Sequence, residues 1–183
     1  GMSTGLIYPP GIFSTTQELI ELGKVLEEFQ GIYASHMRSE GDKLLESIEE
    51  ALAIGKACGI PVQISHLKTA GQRNWHKLEK AFGLIEAALK DGVDVTVDRY
   101  PYTAASTDLD SIFPQWAFDG GNDKEIERLK DSAALARIRK EVLESHPNAD
   151  YWEKVMIASV DTEANRRHEG KTIAQLAKDT GQA

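Results

Sequence analysis

A chain of 183 residues, 41% of them apolar, is long enough for one domain with a core of its own. Its formal charge of −8, with acids and bases interspersed, excludes the basic footprint that nucleic acid or anionic lipid would require. The single cysteine, Cys58, rules out an intramolecular disulfide and a thiolate metal cluster, and no apolar run approaches the ~20 residues of a membrane span.

No signal peptide is visible, so the expected location is cytoplasmic. Gly1 and Met2 are set aside as a tag or start remnant within a single domain over 1–183. Residues 3–13 read as loop, with Gly5, Pro9, Pro10 and Gly11 close together. Ser14, Thr15 or Thr16 caps a helix whose first turn holds Glu18, whose apolar stripe is Leu19, Leu22, Val25, Leu26 and Phe29, and which Gly31 ends. It comes before any strand, as though its own leading strand were missing.

Three apolar runs follow, beginning at residues 31, 61 and 93, and each ends in a polar cluster. The first leads into His36, the second into His66, and the third into Asp98, Arg99, Tyr100, Pro101 and Tyr102. Between them lie two stripes of helical period: Leu44, Ile48, Ala51, Leu52 and Gly55, then Leu78, Ala81, Phe82, Ile85, Ala88 and Leu89. Residues 31–102 therefore read β-α-β-α-β, an α/β core of about three parallel strands at the spacing of βαβ units. Asp42 is the expected N-cap of the first of these helices and Asn74 that of the second, which Asp91-Gly92 closes. Cys58, beside Gly59 near a helix end, reads as a small buried hydrophobe. Asp94 and Thr96 leave one face of the third strand less buried.

After Tyr102 the period stops. Residues 103–122 form a loop-rich excursion whose Phe113, Trp116 and Phe118 are expected to pack on the domain or wall a pocket. The remainder, 123–183, is mainly helical. An amphipathic helix over 123–145 carries Ile126, Leu129, Leu135, Ile138 and Val142; residues 155–158 form a short strand; and Lys171-Thr172 opens a last helix with Ile173, Leu176 and Ala177.

The chemistry gathers at the strand ends, where parallel α/β folds keep their sites. His36 and His66 each follow a strand directly, and two neutral imidazoles from neighbouring strands can converge on one zinc ion. Singly, each also fits an ordinary satisfied histidine. Lys68, two residues past His66, can hold a substrate carboxylate or stand solvated. Arg38 and Glu40 are expected to pair with each other and brace their loop. Tyr100, Tyr102 and Ser106 offer hydroxyls to a carboxylate or carbonyl, or the tyrosines pack at a strand end. His76, His146 and His168 read as surface residues.

Four motifs in order, Ser3-Thr4-Gly5-Leu6-Ile7-Tyr8-Pro9-Pro10-Gly11, Tyr33-Ala34-Ser35-His36-Met37-Arg38-Ser39-Glu40, Gln63-Ile64-Ser65-His66-Leu67-Lys68, and Asp98-Arg99-Tyr100-Pro101-Tyr102 followed by Ser106-Thr107, resemble the N-acyl-D-amino-acid deacylases (D-aminoacylases) of the amidohydrolase superfamily. The resemblance runs from Ser3 to about Gly121. It implies a partial (β/α)8 TIM-barrel fold and a zinc-dependent hydrolase that cleaves the amide of an N-acyl-D-amino acid, with His36 and His66 on the metal and Lys68, Tyr100 and Ser106 on the substrate. It also implies what is not found here: an early His-x-His pair, a further metal ligand and a strand-eight aspartate as general base. Asp98 falls on what would be strand seven and does not fill that last role, so no catalytic residue is assigned.

Three strands cannot close a barrel, which takes about 250 residues. The chain is therefore expected to correspond to roughly strands five to seven, to bind zinc weakly or not at all by itself, and to be inactive in isolation. With two unpaired sheet edges it is expected to form a homo-oligomer. The rival reading is a non-catalytic α/β binding or self-assembly module. A doubly wound anion-binding domain would need a Gly-rich turn after a strand, and none is present.

Overall fold

The computed structural model describes residues 1–181 and divides into two compact units, Gly1–Thr103 and Ala104–Ala183. The first unit contains four strands, β1 (Met2–Gly5), β2 (Tyr33–His36), β3 (Val62–Ile64) and β4 (Val95–Val97), all parallel and ordered as they occur in the chain. Helices α1 (Thr16–Glu27), α2 (Leu44–Cys58) and α3 (Leu78–Lys90) connect them. Right-handed crossovers in a sequential sheet put the connecting helices on one face, and α1 packs on α2 and α2 on α3.

The strand count departs from the expectation. The sequence predicts loop over 3–13 and no strand ahead of α1, yet β1 pairs along β2, and Met2 donates to the Ile32 carbonyl at 2.9 Å. The strand is short and polar and lies at an edge. Only its partner reveals it, because Met2-Ser3-Thr4-Gly5 has too little apolar content to announce a strand.

The pleat sorts the sheet into two faces. Tyr33, Val62 and Val95 share one register row, Ser35 and Ile64 the next, and all are buried with the helices. Ser3, Ala34, Gln63 and Thr96 form the row between, small or polar and open to solvent at both ends. Gly55 is where α2 meets the sheet: a Cβ there would collide with the Val62 side chain. Gly23 plays the same part between helices, since a Cβ on it would lie 2.7 Å from Cys58 Sγ. Cys58 is buried, as expected.

All five residues of the α2 stripe are buried, but the other two stripes are only half covered. In α1, Leu19 and Gly23 face inward while Leu22 and Val25, and Phe29 just past its end, stay 58%, 55% and 75% exposed. In α3, Ala81, Ile85 and Ala88 are buried while Phe82 and Leu89 are exposed. α2 lies between α1 and α3, packing against both. Of the three capping candidates Ser14, Thr15 and Thr16, Thr15 caps α1, in a capping box with Glu18. Asp42 and Asn74 do not cap: Lys43 precedes α2, and Asn74 is buried in a 3-10 turn ahead of α3, donating to Asp42 and to the Ala70 carbonyl. Gly92, with φ 85°, closes α3.

In the second unit the single helix expected over 123–145 is two, α4 (Asn122–Lys130) and α5 (Ser132–Ser145). The break is at Asp131, whose extended backbone ends one helix while its carboxylate caps the next by accepting from Ala134 N–H at 2.8 Å. Its core is Ala117, Ile138 and Val142, with Phe113, Trp116, Leu129 and Trp152 packed around it, so the loop aromatics serve this unit. Residues 155–158 make a single antiparallel bridge, Met156 to Thr172, rather than a strand. Thr172 then caps α6 (Ile173–Thr180) in a capping box with Gln175.

Candidate metal centre

His36 is the last residue of β2, and His66 lies two residues past the end of β3. Strand parity alone would aim His66 to the helix side, as it aims Ile64, but the backbone at His66 turns left-handed, φ 42°. The two imidazoles come together with ring centroids 4.5 Å apart. Glu40, on the loop after β2, closes the group: one ligand atom from each of His36, Glu40 and His66 falls within 4.8 Å of the others.

Glu40 is 8% exposed. Its Oε1 lies 2.6 Å from His66 Nδ1 and 2.5 Å from Lys68 Nζ, ion-pair distances at angles that make no hydrogen bond. Lys68 also donates to the His66 carbonyl at 3.2 Å. Nε2 of His36 is buried with no hydrogen-bond partner among the described residues. Burial, chiefly, and the nearby His66 and Lys68 push the His36 imidazole below its ordinary pKa, against the opposing pull of Glu40. The neutral imidazole so favoured is the form that ligates a metal.

The surrounding loops are braced. Arg38 does not pair with Glu40, as the sequence reading had it. Its guanidinium grips both oxygens of Glu50 on α2 at 3.0 Å and donates to the carbonyls of Ile12 and Ser14. Burial pushes the Glu50 carboxyl up, but Arg38 and the Thr16 hydroxyl outweigh it and hold the pKa below its usual value. Asp42 receives Arg73 at 2.7 and 2.9 Å and Asn74 at 3.1 Å, clasping the loop after β2 to the loop after β3.

Of the expected site residues, the fold brings His36, His66 and Lys68 together, with Tyr100 beside them. The Tyr100 ring is 6.5 Å from that of His66, and Lys68 Nζ is 5.4 Å from its centroid. Ser106 lies exposed in the second unit. Tyr102 stacks on Tyr100 and is largely exposed. Sequence reasoning missed Glu40 as a site residue, and also Tyr8, whose ring sits 5.1 Å from that of His36. The signal for Glu40 was an acid four residues past one candidate ligand, on a loop facing the other. For Tyr8 the signal was its place in the motif from Ser3 to Gly11.

Two imidazoles and a carboxylate are a donor set that suits zinc, a metal held in catalytic sites by His₂Glu among other combinations. The unsatisfied His36 Nε2 and the crowded, non-directional contacts of Glu40 Oε1 are what such a cation would organise. The residues present fit the metal.

No protein-family model matches the chain. A D-aminoacylase of Alcaligenes xylosoxydans xylosoxydans is 46% identical over 109 residues, which make up 60% of this chain and 22% of that protein. An N-acyl-D-glutamate deacylase from Bordetella bronchiseptica, solved with zinc and a phosphonate mimic of the tetrahedral intermediate, superposes with a TM-score of 0.72 at 26% identity, over 98% of this chain and 30% of that one. A solved D-aminoacylase with a binuclear metal center gives 0.68 at 28% identity, over all of this chain and 31% of that one. The resemblance read from the motifs is thus shown, with metal-bound hydrolases as the neighbours. The chain spans about a fifth of the length of the curated relative it matches.

Proposed function

We propose that this chain, similar to D-aminoacylases over more than half its length, is part of a zinc-dependent hydrolase that cleaves N-acyl-D-amino acids to a carboxylate and a free D-amino acid. The observation that carries the reading is the convergence of His36, Glu40 and His66 at the carboxyl ends of neighbouring parallel strands. A sequential four-stranded parallel sheet with helices on one face and an open polar face supports reading it as part of the wall of a (β/α)8 barrel, because parallel sheets are ordinarily covered on both faces.

His36 and His66, with Glu40 as third donor, would hold the metal. When bound, zinc lowers the pKa of its water toward ~7 and polarises the amide carbonyl. Lys68 supplies the charge for a substrate α-carboxylate, and the Tyr100 hydroxyl supplies a second contact beside it. Because Lys68 also competes for Glu40, metal binding to the chain alone is weak. No residue of the cluster is placed as general base, which typically contributes ~10²–10⁴-fold, so the chain alone has no useful turnover. Ser106 as a further substrate contact rests on the motif alone.

Similarity to hydrolases disfavours a purely non-catalytic module, but the open edges of β1 and β4 and the exposed flanks of α1 and α3 support self-association of the isolated chain.

The test is a chimera: this chain replaces the matching 30% of the Bordetella bronchiseptica deacylase. Release of free amine from N-acetyl-D-amino acids is followed with and without zinc. Metal-dependent turnover that is lost in His36→Ala and His66→Ala is expected. A folded chimera without turnover, or one indifferent to both histidines, overturns the reading.

A further inference from the structure

We infer that Asp98 is the positioning residue that sets His66 at the metal centre, by holding the left-handed turn that aims its imidazole; the inference rests on the zinc reading above. His66, a non-glycine residue at φ 42°, is in a strained region that persists only where its surroundings over-determine it. The surroundings of His66 converge on Asp98. Its Oδ1 accepts the His66 backbone N–H at 2.5 Å, and its Oδ2 accepts from Gln63 Nε2 at 2.9 Å. Gln63 is itself held, its Oε1 accepting from the Thr96 hydroxyl on β4.

The backbone of Asp98 straddles the same turn. Its N–H donates to Ile64 O at 3.2 Å, and its carbonyl accepts from Leu67 N–H at 3.0 Å. Arg99 adds a bond to the Leu67 carbonyl at 3.1 Å. Thus the chain just past β4 grips both sides of His66, and of the two amides between, that of Ser65 donates to the Ser35 carbonyl at 3.0 Å while the Asp98 carboxylate fixes that of His66. Lys68 ties down the other end of the residue through the His66 carbonyl.

The result is a reversal of strand parity. Ile64 is buried with the helices, while His66, two residues on, faces His36 and Glu40. Both carboxylate oxygens of Asp98 are occupied by protein donors, and it is not a member of the ligand group. Its role is orientation, of the kind in which loss of a partner outside the ligand set weakens metal affinity ~10–100-fold.

The experiment uses the full chain and zinc alone. Affinity is measured by calorimetry for the wild type, Asp98→Ala, Asp98→Asn, His66→Ala and the double variant Asp98→Ala/His66→Ala. The His66 amide and ring nitrogens are followed by NMR in the same samples without metal. Asp98→Ala is expected to weaken zinc ~10–100-fold and to shift the His66 amide and ring signals. Asp98→Asn, which keeps an acceptor for the amide, should stay within about threefold. Asp98→Ala should add nothing once His66 is gone.

Unchanged affinity and unchanged His66 signals in Asp98→Ala overturn the inference, as does a loss of melting temperature with His66 undisturbed. If Asp98→Ala does not fold, Asp98→Leu, of similar size but without an acceptor, decides: a folded Leu variant with displaced His66 signals supports the inference, and one with wild-type signals overturns it. If the wild type binds no zinc, the metal reading fails, and the His66 signals alone still decide whether Asp98 positions it.

Discussion

In the first unit three helices bury their inner sides on four parallel strands, and the resulting cluster runs without interruption from Leu6 to Val95. In the second, α4 and α5 close around Ala117, Ile138 and Val142, and α6 contributes no buried residue. Much of the second unit is held instead by single polar contacts across it, the Trp116 indole on Glu141 and Arg137 over the Trp116 ring, and by local capping at Asp131 and Thr172. Local bonds fix helices, but a shared core fixes distances between distant residues. The converging side chains of the candidate site are found where that shared core is.

The sharpest way to break the comparison is to delete equal volumes from both units. Ile48→Ala removes a fully buried side chain from the large cluster and should cost ~2–5 kcal/mol. Ile138→Ala should cost less, since it has fewer neighbours to lose. Hydrogen exchange by mass spectrometry should place the first loss across residues 1–103 and the second within 104–181. Equal costs, or the reverse order, would break the comparison.

Next comes Gly55→Ala, which drives a methyl into Val62 where α2 meets β3. Overpacking there should destabilise by ~1–3 kcal/mol in a denaturant titration, although alanine is the better helix former. Gly83, on α3, has open space at its Cβ position, and Gly83→Ala should be neutral or stabilising.

Acid sharpens the comparison further. The Glu50 pKa lies below its usual value in the folded chain, so its ionised form contributes stability above the unfolded pKa of ~4.3. That contribution disappears as pH falls through the lower folded value. Glu50→Gln should therefore be less stable than wild type at pH 7, with the gap closing below about pH 4 in thermal melts. A gap independent of pH would mean that the Arg38 pair contributes through packing alone.

The smallest effect on folding should come from the uncovered flank. Leu22→Asp with Phe29→Ser, both at exposed positions, should change stability by only ~0.5 kcal/mol. Self-association seen by light scattering should nevertheless fall. Undiminished association would point to the sheet edges instead of the helix flank.

How much of this could be read from the sequence followed from how local the signal was. The α2 stripe, the caps at Thr15 and Thr172 and the strand ends at His36 and His66 are short-range patterns, and the structure has them. The Met2–Gly5 strand was illegible because one methionine followed by three polar or small residues becomes a strand only beside β2. The break at Asp131 was hidden because apolar residues continue on both sides of it, and a helical period carries no record of a one-residue interruption. Arg38 was assigned the acid nearest in sequence, Glu40, while the fold brought Glu50 from the next helix. That exchange left Glu40 free to face His66, which is how the carboxylate of the candidate site escaped notice.

The central claim is that His36, Glu40 and His66 form one metal site. Its most direct test is a calorimetric zinc titration of the chain at neutral pH beside His36→Ala, Glu40→Gln and His66→Ala. The account predicts one weakly bound zinc per wild-type chain, with affinity reduced at least ~10-fold in each variant and each variant still folded by circular dichroism. No zinc binding by the folded wild type, or binding unaffected by all three substitutions, would contradict it.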